Sequence, residues 1–457
     1  MNGAILAETL QAILPEKMIE SAARDFGVIF RQRKLEIVKL VRALVLSAGG
    51  DDSGMLADAF RRYRGEAKNT VVRGAFYYWL DEETATLMEW LLDQAMEYAN
   101  SQPTHLTGIL DTVDDWRIFD SETITLRDEL AEEYPGSGSP AAIKVHKELS
   151  VGRGCMTSCH FGPAREHDAS NFEVSDRYRN MGLLVDLGYA SLDFIRSCMQ
   201  FAVKYVMRLK ENWKPRVERI TRGEVQGELV SGTDLDMLLQ DEVVVLDGRC
   251  VDADVTIGSG KNAVSARLVM IPGPNGYLAY LTNLARGTHG PHQVGDLYRV
   301  RWEIELDNKL DKSGARLDQI RATTDSSVCI LMCAALLHSL VVDVLIHRDN
   351  LERVESQDVR RAPLHRLSLA YALRLRHSEL LVALSNPRGA HVRWKNLAEL
   401  LSAEGRDPNW RRRPSVLDRL LGHTAPRGRP RKKKMRDCPP SAMPYRTLVV
   451  QPEAASG

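Results

Sequence analysis

The run VCILMCAALLHSLVVDVLI, which begins at Val328, limits what this chain can become more than any other segment. Its length approaches the roughly 20 apolar residues that a bilayer span requires. His338 and Asp343 inside the run, and the lack of a second such run elsewhere, favour a helix buried in a protein core. A chain of 457 residues exceeds a single compact core, so roughly two to four domains are expected. The opening MNGAILAETLQAIL lacks a basic start and carries Glu8, which makes it a poor signal peptide.

Sixty-one Lys and Arg balance 61 Asp and Glu, and a net charge of zero argues on its face against a nucleic-acid partner. The distribution matters more than the sum. Basic residues gather after Arg406, in Arg411 to Arg413 and then in Arg427, Arg429, Arg431 and Lys432 to Lys434, whereas acids gather around 111–132. Seven cysteines do not amount to a disulfide framework, and a reducing, cytoplasmic location is the expectation. Cys155, Cys159 and His160 lack a second pair at zinc-site spacing, and Cys329 with Cys333 read as core.

Residues 1–103 read as helices throughout. KLEIVKLVRALVLSA and TATLMEWLLDQAMEYA carry the three- and four-residue apolar spacing, and two short helices joined by a polar turn lie between them, with Thr70 as the N-cap of the second. Arg61, Arg62, Arg64, Lys68 and Arg73 make this stretch either a helix-turn-helix-like DNA contact or a solvated face. From 104 the pattern turns α/β: WRIFDSETITL and IKVHKELSV as strands, LLVDLGY as a short strand, SLDFIRSCMQFAV as a helix and KYVMRLK as another strand. VVVLDG, DADVTI, SARLVMI and GYLAYLTNL make 213–287 a β-rich insertion. Helices return from 293 to about 423, and the Pro-, Arg- and Lys-rich tail from 425 reads as disordered until it meets a partner.

The segment LYRVRWEIELDNKLDKSGARLDQI sets Tyr298, Arg301, Glu305 and Lys312 at spacings of three, four and seven. At about 100° per residue these four fall within roughly 60° of one another on a helix. Such a stripe is either a surface face of stabilising charge pairs or a metal-holding carboxylate flanked by phosphate-binding groups. The pattern Tyr-x2-Arg-x3-Glu-x6-Lys resembles the signature helix of insertion-sequence-4 type DDE transposases. LLVDLGYASLDF resembles that family's second-aspartate strand, at Asp186, and IFDSETITLRDEL its first, at Asp120. Glu122 departs from the family pattern after the first aspartate, and Asp111, Asp114 and Asp115 are neighbouring alternatives.

The resemblance implies a ribonuclease-H-like α/β core (104–345) with the β-rich insertion, flanked by an N-terminal helical DNA-binding domain (1–103), a C-terminal helical region (346–424) and a basic tail (425–457). It implies that Asp120, Asp186 and Glu305 hold two Mg²⁺ ions, with Mn²⁺ as a substitute, and that Tyr298, Arg301 and Lys312 grip DNA phosphates. Two cations about 3.5–4 Å apart serve both ends of an in-line displacement, and hard Mg²⁺ takes oxygen ligands without His or Cys. The implied partners are transposon ends and target DNA, bound by a dimer in a synaptic complex, with no membrane. Family members also flip a base onto an aromatic; Trp213, Tyr277 and Tyr280 are the insertion's weak candidates. In the tail, Pro426-Arg427-Gly428-Arg429-Pro430 resembles an AT-hook, whose Arg427 and Arg429 would enter a narrow minor groove.

Overall fold

The computed structural model describes the chain except for residues 29–34, 49–54, 167–171, 226–227, 240–249, 274–275, 359–360, 387, 408–414 and 423–457. Six helices come first: α1 (Gly3–Ile13), α2 (Glu16–Asp25), α3 (Ile37–Leu46), α4 (Met55–Glu66), α5 (Arg73–Tyr78) and α6 (Glu82–Ser101). The Asp81 side chain caps α6 through the Thr84 amide at 3.0 Å. α5 begins after Val72, which makes no side-chain cap, so Thr70 is not its N-cap.

The sheet then begins with β1 (Trp116–Thr125), β2 (Ala142–Ser150), β3 (Cys155–Pro163) and β4 (Gly182–Val185). Next come α7 (Leu192–Gln200), β5 (Lys204–Arg208), β6 (Arg216–Val225), β7 (Glu228–Val230) and β8 (Thr233–Leu238). β9 (Val251–Ile257), β10 (Val264–Gly273) and β11 (Gly276–Thr282) complete it. The order is β3-β2-β1-β4-β5-β11-β10-β9-β6-β7, with β8 beside β6. β1, β2 and β3 pair antiparallel, whereas β4 and β5 run parallel to β1. The β-rich stretch therefore continues the same sheet, because β11 pairs with β5. The strand expected at VVVLDG lies outside the described residues.

The remaining helices are α8 (Pro291–Val300), α9 (Trp302–Lys309), α10 (Asp325–Glu355), α11 (Arg366–Leu375), α12 (His377–Ser385), α13 (Ala390–Glu404) and α14 (Val416–Leu420). α10 is long and apolar enough to cross a membrane, yet 89% of its most apolar window is buried inside the protein. It shares one core with α1, α3, α6, α11 and α13. His338 is fully buried there.

Side chains alternate across a strand, which assigns the faces of the sheet. Phe119, Leu183, Val185 and Tyr205 pack with Phe194 and Ile195 of α7. Trp116, Ile118, Leu184 and Val206 pack with Val294, Leu297 and Ile304 of α8 and α9. The parallel pairing of β1 with β4 depends on Gly182, where an added Cβ would lie 2.3 Å from the Trp116 ring. That ring is itself fixed, donating its indole N–H to the Leu110 carbonyl at 3.0 Å.

Gly182→Ala should accordingly destabilise the protein by about 1–3 kcal/mol through overpacking, read as a lower melting temperature. An unchanged melting temperature would mean that β1 and β4 do not meet in this register.

Candidate active site

Trp116, Arg117 and Ile118 of β1 face Gly182, Leu183 and Leu184 of β4 in parallel register. Two residues beyond the last of these pairs come Asp120, on β1, and Asp186, just past β4, near enough that the Asp186 charge acts on Asp120. Both continue the face of Ile118 and Leu184, toward α8 and α9. Asp186 directly follows β4, and its carbonyl accepts the Tyr189 amide at 3.1 Å. This is the carboxyl end of a parallel strand, where open α/β sheets take their ligands.

α8 opens on Pro291, with the Gln293 side chain accepting the Gly290 amide at 2.7 Å. On its last turn Tyr298 packs its ring 5.1 Å from Tyr280 and donates its hydroxyl to Asp186 Oδ1 at 3.3 Å. Arg301 donates to Glu305 Oε1 at 2.5 Å, and its charge also acts on Asp120 and Asp186. Asn308 Nδ2 donates to Asp120 Oδ2 at 3.1 Å. Lys312 Nζ lies 3.3 Å from Glu122 Oε2. Tyr298 and Asn308 thus tie α8 and α9 to Asp186 and Asp120, Arg301 is paired with Glu305, and Lys312 is engaged with Glu122.

The expected single helical stripe is not continuous. The helix tightens at Arg301, where the Arg301 amide bonds to the Tyr298 carbonyl and the Ile304 amide to the Arg301 carbonyl. It then widens into a π-helical turn over Leu310–Gly314. Among the neighbouring acids, Asp111 and Asp114 are exposed. Asp115 is buried and structural: it accepts from the Trp116 and Gly152 amides, Ser150 Oγ and Arg153. Cys155 and Cys159 face the α10 core while His160 takes the opposite face of β3, so the three do not converge.

Burial pushes the Asp120 carboxyl up to about 6; the Asp186 charge adds to this, and the Ser121 amide, Arg301 and Lys147 oppose it. Burial and Asp186 likewise raise the Tyr298 hydroxyl. Burial opposes the Arg301 charge, but Tyr298, Glu305 and Asp186 hold it above the ordinary arginine range. Among the described residues no three acidic, imidazole or thiol groups are already gathered at metal-ligand spacing, and Glu305 is turned to Arg301. The chemistry of the donors nevertheless fits a hard divalent cation: two adjacent carboxylates, one of which resists ionising beside the other, with a third carboxylate on the facing helix.

Sequence reasoning did not single out Asn308 or Lys147, and it noted Glu122 only as a departure from the family pattern. Asn308 follows Glu305 by three residues, a spacing that shares a helix face. Trp302 directly follows Arg301 and is 56% exposed, an unusual position for so large an apolar surface. Arg427 and Arg429 lie outside the described residues.

The family model described as "Transposase DDE domain" matches residues 112–340, half of the chain. The chain belongs to this family. The transposase for insertion sequence element IS1151 of Clostridium perfringens is 24% identical over 304 residues, which cover 56% of this chain and 63% of that protein. The chain therefore spans less than two thirds of that relative's length. The transposase for insertion sequence element IS231F of Bacillus thuringiensis subsp. israelensis is 22% identical over 366 residues, covering 70% and 75%. Among solved structures, a piggyBac transposase synaptic complex with hairpin DNA has a TM-score of 0.46 at 11% identity, covering 86% of this chain and 85% of that one. The family read from Tyr298, Arg301, Glu305 and Lys312 is the one that the match returns.

An acid whose carboxyl titrates near 6 in the fold and near 3.8 unfolded opposes folding once ionised, so its cost is absent below about pH 4 and complete above about pH 6. Asp120→Asn should therefore raise the melting temperature of metal-free protein at pH 7 and lose that advantage by pH 4. An equal effect at both pH values would show that Asp120 is not a strained carboxylate.

Proposed function

We propose that this chain is a cut-and-paste DNA transposase that cleaves the ends of its element and joins them to target DNA, through a hairpin intermediate. The observation that carries the reading is the pair Asp120, on β1, and Asp186, just past the neighbouring parallel strand β4, with the Arg301 charge acting on both and its guanidinium bonded to Glu305, in a chain of the transposase DDE family. The strand order β3-β2-β1-β4-β5 supports a ribonuclease-H-like core for 104–345. In this reading Asp120, Asp186 and Glu305 hold two Mg²⁺ ions, or Mn²⁺ in their place. When bound, the ions supply an activated water and stabilise charge on the leaving oxygen.

The residues of the chain do the rest. Tyr298 orients Asp186 through its hydroxyl, and Asn308 orients Asp120. Arg301 offers a planar, bidentate donor to a phosphate, and Lys312 a point charge. When Arg301 turns to the DNA backbone, Glu305 is released toward the aspartates. Exposed Trp302 supplies a face on which a base displaced from the cleaved end stacks. Arg61, Arg64, Lys68, Arg73 and Tyr78 are exposed on α4, α5 and their connection, which supports a DNA-binding role for the helices of 1–103. The tail from 425, with Arg427 and Arg429, adds a further contact, and two copies act together in the synaptic complex.

Purified protein, Mg²⁺ and DNA from the inverted repeats flanking the gene test this directly. Joined products mean a transposase, cut products alone a structure-selective nuclease, and a shifted but unbroken probe a binding protein. Glu305→Gln should abolish cleavage while retaining end binding. Arg301→Ala and Lys312→Ala should weaken end binding and each lower its salt dependence by about one unit of slope; parental binding and cutting by both would remove the signature helix from the DNA interface. Trp302→Ala should slow hairpin formation more than the first nick, and an equal slowing of both steps relative to the parent would exclude stacking. Truncation after Ala425 should weaken binding to all DNA sequences and leave the chemistry intact, as a salt titration of both proteins would reveal.

A further inference from the structure

α9 carries Glu305, yet Ile304 is its only buried apolar side chain; its other buried residue is Asp307. Apolar packing is therefore a weak restraint on a helix whose position decides where Glu305 stands. Buried charges take its place. Lys147 on β2 lies directly across from Asp120 in the antiparallel register, and its side chain is 1% exposed. Its ammonium donates to Asp307 at 3.0 Å and to Asp311 in the π-helical turn, and lies 3.4 Å from Glu122 on β1. Burial opposes its charge, but Asp307, Asp311 and Glu122 together hold it well above the ordinary lysine range.

The network continues on both sides. Glu122 also meets Lys312. Asp307 accepts from Asp343, whose carboxyl burial holds far above the usual range, and Asp343 accepts from Arg366 at 3.0 Å. Arg366 lies 3.9 Å from Glu303, one helical turn before Asp307. Both anchored positions, Glu303 and Asp307, share one face of α9. Glu305 projects from the other.

We propose that Lys147 is a positioning residue: by gripping Glu122, Asp307 and Asp311 at once, it sets the height of the Glu305 helix over the strand that carries Asp120. The inference rests on the reading of Asp120, Asp186 and Glu305 as metal-holding groups. It also accounts for Glu122, the departure from the family's pattern after Asp120. That carboxylate lies between Lys147 and Lys312, at 3.4 and 3.3 Å. Supporting groups of this kind change metal affinity by about 10–100-fold when removed.

Lys147→Met alone leaves buried carboxylates without their cation and can simply fail to fold. The test therefore pairs it with Lys147→Met/Asp311→Asn, which removes one charge of each sign, and with Lys147→Arg. Three readouts are compared with the parent: amide exchange across 302–314 and across α10, Mn²⁺ affinity by calorimetry, and single-turnover cleavage at saturating DNA alongside end-binding Kd. The double variant should exchange faster over 302–314 with α10 unchanged, bind Mn²⁺ at least about tenfold more weakly, and cut more slowly with Kd within about twofold. Lys147→Arg should recover part of each. Parental exchange over 302–314 overturns the proposal, and so does faster exchange with parental Mn²⁺ affinity, which would reduce Lys147 to a structural role. If the parent neither binds Mn²⁺ nor cuts DNA while 302–314 still loosens in the double variant, the catalytic reading has failed and the anchorage has not.

Discussion

Everything at the candidate site follows from the parallel contact between β1 and β4. Trp116 lies against Gly182 because glycine leaves room for the indole, and the Gly182 amide bonds to the Asp115 carbonyl at 2.9 Å in the same register. A slip of one residue would turn Asp186 to the opposite face, where α7 and its apolar partners lie. With the register held, two carboxylates are forced together at the carboxyl edge of the sheet. The cost of that placement is visible at Asp120, which burial and Asp186 push up to about 6. A group strained in this way is typical of a site shaped for function at the expense of stability.

The facing helix is built differently. Its segments carry Tyr298, Arg301 and Glu305 beside the apolar side chains Val294, Leu297, Val300 and Ile304 that pack on the sheet. The tightened turn at Arg301 and the wide turn at Leu310–Gly314 break the helix into segments, and each segment is fixed by polar contacts: Tyr298 to Asp186, Asn308 to Asp120, Asp307 and Asp311 to Lys147. Beneath these, α10 supplies the apolar mass that α9 lacks, buried among α1, α3, α6, α11 and α13.

Much of this was legible in the chain, for identifiable reasons. The strands at 116–125, 142–150 and 182–185 and the core helix at 325–355 carry local patterns of alternation or unbroken apolarity that tertiary context does not overrule. Asp120, Asp186 and Glu305 were singled out by resemblance, and the strand register and the facing helix make the elements that carry them neighbours. What the sequence did not disclose depends on partners distant in the chain. Thr70 has the chemistry of a cap, but the helix starts later, after Val72. The break at Arg301 leaves no Gly or Pro as a signal. Lys147 is an ordinary strand lysine until β2 is laid beside β1 and α9 above them, 160 residues further along the chain. That the β-rich insertion extends the same sheet is likewise invisible until β11 is paired with β5.

Whether Asp120, Asp186 and Glu305 form one two-metal site is decided by where the metal sits when DNA is bound. Anomalous diffraction from crystals of the protein with an element-end DNA duplex and Mn²⁺ would locate it. Two manganese peaks about 3.5–4 Å apart are expected, ligated by Asp120, Asp186 and Glu305, with Arg301 turned from Glu305 to a phosphate. Manganese bound elsewhere, or DNA bound with Glu305 still on Arg301 and no metal beside Asp120 and Asp186, would contradict the two-metal site.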